Sequence, residues 1–558
     1  MSKLHLESRD SRKAYFEQTE YFHHTFNRFY LDDNKIMCLD ESKLEKNDLG
    51  KGGVPLSTSD SGEYIYIDQT DSHTLVIGPT GSKKSRLVAM PTVNILGVAG
   101  ESMIISDPKA EIYARTANAL LEKGYKVVVL NLRSPNNGGC WNPLAIPYRY
   151  YCDGSLDKSY EFVNDIAENL TKTEASVKDP FWDNSAGSLF FALSILLFKY
   201  CKDFGYNSDA VHIGNVMRLR SIMLSGNSVS VKNHPLWRYA KRDSFILSSL
   251  IGTVEAPNET RASILSVFDQ KMRMFSLQPN LVAMLAENTI SFDKLDEEPT
   301  AIYLILPDEK TSYHHLVSLF IKQSYEYLID KAQIHTEGKG FSFGRMYLRV
   351  NYILDEFSSL PTIKDFPAMV TAARSRNIRF SLFIQSKHQL LLRYAEEAET
   401  IQSNCNNWIF LTSRELQFLQ ELSLLCGNTK DNTKPILSIS ELQRLDKQSG
   451  ESLLLCGRLR PHIAKLTDID KYDKRKRHQL QVPPLIGRNA YHELDFDIDK
   501  EKLLEKVMGT EVGDELEKLG IPASHDSSVD EIISKIDKKI AELEAEEKRN
   551  SSVNKQDK

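Results

Sequence analysis

Residues 74–86 read TLVIGPTGSKKSR. The first four residues predict a short buried strand, and the residues after the glycine-rich loop predict a helix. The loop between them departs by one residue from the phosphate-binding pattern G-x-x-x-x-G-K-[ST], because Lys83 stands where the pattern has its second glycine. The functional interpretation of the chain depends on whether this loop still binds phosphate.

A phosphate-binding loop surrounds phosphate oxygens with backbone N–H groups and with the N-terminus of the following helix. A lysine places a positive charge near the β- and γ-phosphates, and the hydroxyl after it ligates Mg²⁺. Lys84 and Ser85 occupy these positions, so we expect ATP and Mg²⁺ as ligands, with Ser85 on the metal. The expected nucleotide-binding residues are Gly78, Pro79, Thr80, Gly81, Ser82, Lys83, Lys84 and Ser85.

Because of Lys83, the sequence leaves open whether this loop binds nucleotide and supports its hydrolysis. The glycine that it replaces lies in a crowded turn and can adopt a positive φ, which costs a lysine on the order of 1 kcal/mol or more. A second positive charge beside a triphosphate is, in contrast, attractive. Three outcomes are compatible with the sequence: an active but slow ATPase, a protein that binds nucleotide with little turnover, or no binding.

A series of short apolar runs indicates the fold class. Each run is almost continuously apolar, as expected for strands that are buried on both faces. Helical segments such as residues 111–124 lie between many of them, and this alternation predicts an α/β fold with a largely parallel sheet. The predicted strands are residues 74–78, 102–107, 126–132, 301–306, 350–356, 380–386, 407–413 and 452–457.

Between the third and fourth predicted strands the apolar spacing is helical, so we predict an all-helical inserted domain at residues 150–298. The nucleotide-binding domain then consists of two parts, residues 62–149 and 299–475. Residues 1–61 end in a turn-rich stretch and are predicted to be an N-terminal extension and linker. Residues 476–558 are predicted to be a charged C-terminal tail.

The tail contains one predicted amphipathic helix, residues 527–549. Ser528 and Glu531 have the spacing of a capping box, and a single apolar stripe follows them. The stripe would dock either on a partner or on the body of the same chain. The basic run at residues 474–477 is either a positively charged patch or a solvated linker.

Composition and charge exclude several classes of protein. The chain of 558 residues has an ordinary globular composition and a formal net charge of −6, so it is not a strongly basic nucleic-acid-binding protein. A ring or channel for DNA would need only a local positive lining. The seven scattered cysteines include no C-x-x-C pair, which argues against a zinc or disulfide framework and favours the cytoplasm.

The sequence also bears on membrane insertion. The N-terminus is polar and lacks an apolar signal core. The longest uncharged run, residues 184–198, is shorter than the roughly 20 residues that a membrane crossing needs, so we predict a buried helix there. We expect a cytoplasmic protein that reaches the inner face of the cell membrane only peripherally, through a partner.

Further candidate catalytic residues follow two predicted strands. The strand VNYILDEF ends in Asp355, which is expected to support Mg²⁺, and in Glu356, which can polarise an attacking water. Gln385 ends the next strand, where it can reach the γ-phosphate or the water. Arg374 and Arg376 precede that strand. They would serve either as an arginine finger toward a neighbouring subunit or in surface ion pairs.

Several stretches together resemble the type IV coupling proteins, the TraG-like ATPases of conjugation and type IV secretion that are related to FtsK and HerA. The stretches are TLVIGPTGSKKSR, IISDPKAEIYARTANALLEKGYKVVVLNL with WNPL after it, DPFWDNSAGSLFFAL, VNYILDEFSSLPTIKDFPAMVTAARSRNIRFSLFIQS and AETIQSNCNNWIFL. The similarity extends over about residues 70–475, and the helical insertion falls in the same place as in the family.

The resemblance implies a RecA-like P-loop domain with an all-helical insertion, a homo-hexameric ring when active, and ATP-driven DNA translocation. The partners that it implies are DNA, single-stranded and carried with a relaxase, and the proteins of a conjugation or secretion channel. By position, it assigns the P-loop roles to Lys84 and Ser85, the Walker B roles to Asp355 and Glu356, the sensor role to Gln385 and the finger role to Arg376.

The sequence departs from the family at two points. Family members usually carry an N-terminal membrane anchor, which we do not expect here, and Lys83 replaces a glycine. Asp107, in SDPKAE, ends the second predicted strand at the sheet edge where such sites form, and no role is assigned to it. Two alternative functions are a weakly hydrolysing or non-hydrolysing adaptor that recruits protein cargo and a soluble HerA-like DNA-processing motor.

Overall fold

The structure, a computed structural model, describes residues 26–30, 51–472 and 491–496, apart from short gaps at residues 63, 173–179, 227, 311–312, 335–343 and 430–433. The chain divides into two compact units. The first comprises Met1–Pro143 and Pro279–Ala490, and the second comprises Leu144–Gln278 and Tyr491–Lys558, each as far as its residues are described.

A small antiparallel sheet comes first in the described part of the chain. Its strands are β1 (Asn27–Tyr30), β2 (Val54–Thr58) and β3 (Tyr64–Asp68), in the order β1-β3-β2. Strand β2 corrects the prediction that residues up to 61 form an extension and linker. Val54 and Leu56 are buried in the core, and an alternation of only two apolar residues was too short to indicate a strand.

The first unit is built on a larger sheet of nine strands. They are β4 (Thr74–Ile77), β5 (Ser102–Asp107), β6 (Lys126–Asn131), β7 (Thr300–Ile305), β8 (Val350–Leu354), β9 (Ile378–Ile384), β10 (Asn407–Phe410), β11 (Glu451–Cys456) and β12 (His462–Lys465). Their order is β12-β11-β10-β4-β9-β8-β5-β7-β6. The strands from β10 to β6 are parallel, whereas β11 and β12 pair antiparallel. The predicted, largely parallel sheet is therefore confirmed.

Helices connect most of these strands, and a π-helical turn, Ser85–Ala89, leads from the phosphate-binding loop into the first of them. In chain order the helices are α1 (Met90–Ala99), α2 (Glu111–Glu122), α3 (Ala145–Cys152), α4 (Leu156–Thr171), α5 (Pro180–Phe204), α6 (Ile213–Met223), α7 (Ser228–Asn233), α8 (Pro235–Ala240), α9 (Ser244–Val254), α10 (Asn258–Lys271), α11 (Arg273–Leu277), α12 (Pro279–Met284), α13 (Lys294–Glu297), α14 (His314–Ile334), α15 (Phe366–Ala373), α16 (Lys387–Tyr394), α17 (Glu397–Asn404), α18 (Leu416–Cys426), α19 (Ile439–Gln443) and α20 (Ile469–Tyr472).

The larger sheet is buried on both faces. On one face, Leu96 of α1 and Leu120 of α2 belong to the same apolar cluster as Phe383 of β9. On the other face, Phe380 of β9 contacts Tyr325 of α14. Residues three apart on a strand point to opposite faces, so β9 packs against helices on both sides. This double burial explains why the strands read as continuous apolar runs.

A buried ionic network lies at the amino edge of the larger sheet. Glu101, directly before β5, accepts hydrogen bonds from Arg349 Nη1 at 3.3 Å, Arg379 Nη2 at 3.2 Å and Asn351 Nδ2 at 2.9 Å. Its carboxylate also accepts the backbone N–H of Gly52 at 2.8 Å. Since Gly52 lies just before β2, this one carboxylate joins the small sheet to three strands of the large one.

The second unit is helical in its described residues and is centred on α5. Helix α5 packs against α4, α9 and α10. It is the one helix in the described part of the chain that is long and apolar enough to cross a membrane, but 61% of its most apolar window is buried. The buried helix predicted at residues 184–198 is therefore present inside this unit.

The compact helical unit and the predicted insertion do not have the same boundaries. The prediction was residues 150–298, whereas residues 279–298 group with the first unit. There, Met284 accepts the backbone N–H of Trp141 at 3.0 Å. The predicted basic run at 474–477 and the tail helix at 527–549 lie outside the described residues.

Candidate nucleotide-binding site

The candidate site lies at the carboxyl edge of the larger sheet. Strands β4, β9, β8 and β5 are consecutive parallel neighbours, so the residues that follow them meet along one edge. Gly78 begins the loop after β4 and donates its N–H to Ile384 O, at the end of β9, at 3.1 Å. The loop at residues 78–85 thus lies between a strand and a helix, at the carboxyl edge of the sheet, where parallel sheets bind ligands.

The loop has the close packing of a phosphate cradle. A Cβ at Gly78 would come within 2.5 Å of Ser82 Oγ, and Gly81 has a φ of 81°. Ser82 Oγ is buried and has no hydrogen-bond partner among the described residues. A buried hydroxyl without a partner, inside a loop of backbone N–H groups, fits a site built for an oxygen-rich anion.

Lys84 turns its side chain into this loop. Its Nζ donates to Gly78 O at 2.5 Å and to Pro79 O at 3.5 Å. Burial lowers the pKa of the ammonium, and the neighbouring charges of Asp355 and Glu356 oppose that shift. Lys84 therefore supplies a buried cation, held by the carbonyls of the loop, at the place where the sequence pattern predicts the phosphate-binding lysine.

Lys83 adopts the backbone conformation of the glycine that it replaces. Its φ is 69°, a left-handed value that costs a lysine on the order of 1 kcal/mol. Its side chain leads away from the loop, with Nζ 3.6 Å from Asp468 Oδ2 and 31% of the side chain exposed. The loop thus keeps the required backbone despite the substitution. The effect of Lys83 on turnover stays a prediction.

Ser85 and Asp355 form the joint between the loop after β4 and the end of β8, two strands away in the sheet. Ser85 Oγ donates to Asp355 Oδ2 at 2.9 Å. Burial raises the pKa of Asp355, whereas the Ser85 hydroxyl and the charge of Lys84 lower it. A hydroxyl beside a carboxylate is a suitable oxygen pair for Mg²⁺. Among the described residues, no group of three or more His, Cys, Asp or Glu side chains could hold a metal ion.

Glu356 directly follows Asp355 and has a left-handed conformation, with a φ of 52°. Its N–H donates to Asp355 Oδ1 at 3.0 Å, and its carbonyl accepts the Ser359 hydroxyl at 2.7 Å. Burial and the charge of Asp355 raise the pKa of its half-buried carboxyl group. Backbone strain that is held by local hydrogen bonds is characteristic of functional positions, and a raised pKa suits a general base.

Asp107 contributes a further buried carboxyl group to the same edge. It ends β5, next to β8, and accepts the N–H of Tyr113 at 2.8 Å. Burial raises its pKa to about 7, the Tyr113 N–H opposes this shift, and the charge of Asp355 adds to it. No role for Asp107 is predicted from the sequence. Lys109, whose charge acts on both Asp355 and Glu356, is not among the site residues that the sequence predicts.

The pH dependence of folding should report the environment of Asp107. A folded pKa of about 7 lies above the unfolded value near 3.9, so the folded state binds the proton more tightly and stability falls as pH rises between these values. Asp107→Asn keeps the acceptor for Tyr113 N–H and cannot ionise. We expect its stability advantage over wild type to grow by about 2–3 kcal/mol from pH 5 to pH 8 in nucleotide-free urea titrations. An equal difference at both pH values would contradict this.

The remaining predicted site residues fall into two places. Gln385 directly follows β9, one residue beyond the carbonyl that binds Gly78, and so joins the carboxyl edge. Arg374 and Arg376 form a short turn at the other end of β9, so the seven-residue strand, roughly 23 Å long, separates them from the loop. Arg374 is exposed and Arg376 is half-buried. Within one chain these arginines cannot reach the loop, which leaves action on a neighbouring subunit as their possible catalytic role.

The strand order, the phosphate-binding loop and the Ser85–Asp355 joint define a P-loop protein with a RecA-like nucleotide-binding domain. Over residues 28–452 the chain matches the family T4SS-DNA_transf, described as "Type IV secretory system Conjugative DNA transfer". This match covers most of the chain, which therefore belongs to that family. No curated protein sequence matches the chain.

Solved structures show the same fold. The bacterial conjugative coupling protein TrwBdeltaN70, in a trigonal form with sulphate, matches with a TM-score of 0.53 at 15% identity, over 84% of this chain and 98% of that one. The plasmid coupling protein TrwB in complex with the ATP analogue ADPNP matches with a TM-score of 0.52 at 14% identity, over the same shares of the two chains. A third TrwB structure, described as a complex with ADP and Mg²⁺, matches with a TM-score of 0.52 at 15% identity, over 84% and 97%.

Proposed function

We propose that the chain is an ATP-driven motor that moves DNA and delivers a relaxase-bound single strand to a conjugation or secretion channel. The observation that carries the proposal is the Ser85–Asp355 hydrogen bond beside Glu356, which supports assigning Mg²⁺ to the hydroxyl and carboxylate and the role of base to Glu356. Family membership gives the DNA-transfer context. The TrwB structures with ADPNP and with ADP and Mg²⁺ support ATP and Mg²⁺ as ligands of this chain.

In this proposal the residues of the loop hold the nucleotide. Lys84 and backbone N–H groups of the loop after Gly78 bind the phosphates, and Ser85 and Asp355 bind Mg²⁺. When bound, Mg²⁺ neutralises the charge that develops on the phosphates. Glu356 polarises the attacking water and takes up its proton on the carboxylate, for which a raised pKa is favourable.

Two further catalytic roles are assigned to residues outside the loop. Gln385, at the end of β9, orients the water or contacts the γ-phosphate. Arg376, or the more exposed Arg374, acts as an arginine finger on the nucleotide of the next subunit, which requires a homo-hexameric ring. The protein would work in the cytoplasm and reach the inner face of the membrane through a partner.

Hydrolysis of ATP by the purified chain, measured with and without single-stranded DNA, tests this function. We expect DNA to stimulate turnover, and we expect Lys84→Ala to lose at least about 100-fold, since it removes the buried cation from the phosphate cradle. Lys123→Ala, which changes an exposed lysine at the far end of α2, should retain wild-type turnover. A well-folded hexamer that does not hydrolyse ATP with DNA present would refute the motor and favour the adaptor.

A further inference from the structure

The segment that follows the last strand of the larger sheet lies against the phosphate-binding loop. It comprises residues 466–472, includes α20, and is separated from the loop by almost 400 residues of chain. Two carboxylates of this segment, Asp468 and Asp470, contact basic residues of the loop and of the helices after it. Neither carboxylate belongs to the site residues predicted from the sequence.

Asp468 contacts two basic residues where the loop ends and the helical turn begins, Lys83 and Arg86. Arg86 donates from Nε to Asp468 Oδ2 at 3.0 Å and from Nη2 to Oδ1 at 2.5 Å, a bidentate pair. The same Oδ2 lies 3.6 Å from Lys83 Nζ. Burial raises the pKa of Asp468, but the hydrogen bonds and charge of Arg86 and the charge of Lys83 outweigh burial and leave it lowered.

Asp470 provides a useful contrast two residues further on. It pairs with Arg86 and, through Oδ1, with Arg115 Nη2 at 3.0 Å, but it makes no ion pair with Lys83. Both carboxylates therefore anchor Arg86 at the start of the helical turn, and Asp468 alone of the two also engages Lys83. The charge of Lys83 also lowers the pKa of Asp446, but hydrogen bonds from backbone N–H groups contribute more to that shift.

We propose that Asp468 is a positioning residue that holds the Lys83 side chain away from the phosphate cradle, so that the loop works with one lysine, Lys84, although its sequence carries two. This inference rests on the proposed nucleotide site. The left-handed backbone of Lys83 meets the conformational requirement of the loop, and Asp468 meets the separate requirement that the extra side chain be removed.

The physical reason is competition for a flexible ammonium group. A lysine head group is a compact point charge on a flexible stem, and a triphosphate attracts it strongly. Without a fixed counter-charge, Lys83 would turn toward the phosphates, bind the ground state tightly and disturb the alignment that Lys84 and Ser85 provide. Binding that is not specific to the transition state does not accelerate turnover.

A double-mutant cycle with Lys83→Gly tests this role. For Asp468→Asn we expect the Kd for ATP to fall about 3- to 10-fold and kcat to fall by a similar factor, because the released Lys83 binds the phosphates in the wrong geometry. In the Lys83→Gly background, the same substitution should change either quantity less than about 2-fold. The Kd is measured by competition with a fluorescent ADP analogue without turnover, and kcat is measured with DNA present.

Asp470→Asn is the matched control, since it removes the same charge from the same segment and also removes one ion-pair partner of Arg86. Its effects should be equal in the wild-type and Lys83→Gly backgrounds, and thermal unfolding should verify that every variant is folded. Weaker ATP binding by Asp468→Asn, or equal effects of Asp468→Asn in both backgrounds, would overturn the inference. If the wild type binds no ATP, the proposed function fails first. If it binds and hydrolyses ATP but shows no coupling, only this inference fails.

Discussion

The Glu356→Gln variant is expected to bind ATP about as tightly as wild type and to lose at least about 100-fold of its DNA-stimulated turnover. Glutamine has nearly the same shape as glutamate but cannot take a proton from the attacking water, and general base catalysis contributes about 10²- to 10⁴-fold. Nucleotide binding should not depend on the Glu356 carboxylate, because Mg²⁺ is expected on Ser85 and Asp355, which share a hydrogen bond. The check is ATP turnover together with equilibrium ATP binding on one preparation.

The matched control is Glu309→Gln, which removes a carboxylate after β7, at the same edge of the sheet. Glu309 is exposed and pairs with Arg133 at 2.9 Å, so its loss should leave turnover within about 2-fold of wild type. Should Glu356→Gln retain wild-type turnover, Glu356 is not the base. Should it lose ATP binding as well, the carboxylate has a role in nucleotide binding.

The largest expected effect on stability is that of Glu101→Ala. Its carboxylate balances the buried guanidinium groups of Arg349 and Arg379 and accepts Asn351 and the N–H of Gly52. Removal of one partner from a buried ion pair leaves uncompensated charge and typically costs about 3–5 kcal/mol. We expect a loss of this size in urea titrations followed by circular dichroism.

Asp308→Ala is the comparison for Glu101→Ala. Asp308 pairs with Arg133 at 2.7 Å, but both side chains are about 40% exposed, and exposed pairs contribute about 0–1 kcal/mol. The two substitutions thus remove one carboxylate each, from a buried network and from an exposed pair. Equal urea midpoints for Glu101→Ala and wild type would show that the network at the amino edge does not stabilise the sheet.

Most of the sheet could be predicted from the sequence. All eight predicted strands are present, because parallel strands buried on both faces give continuous apolar runs that are hard to mistake. The four missed strands, β1 to β3 and β12, are four or five residues long and antiparallel. Their short lengths and mixed polarity give little periodic signal, and their burial depends on the helices and strands that cover them.

The candidate catalytic edge was also accessible from the sequence. Lys84 and Ser85 come after one predicted strand, and Asp355, Glu356 and Gln385 lie at the ends of two others. The carboxyl ends of parallel strands share one edge. The order of the strands was not predictable in this way. It is the order β4-β9-β8-β5 that places Ser85 within hydrogen-bond distance of Asp355 and places Asp107, at the end of the adjacent strand, close enough for the charge of Asp355 to act on it.

The sequence by itself determined the α/β class, the phosphate-binding loop and the residues that end its strands, because these depend on local periodicity and on short spacings. Only the tertiary structure decided that Lys83 points toward Asp468, that burial raises the pKa of Asp107 to about 7 and that Glu101 pairs with two buried arginines. Each of these depends on contacts between residues tens to hundreds of positions apart. Burial and charge pairing at such contacts arise only once the sheet has brought distant segments together.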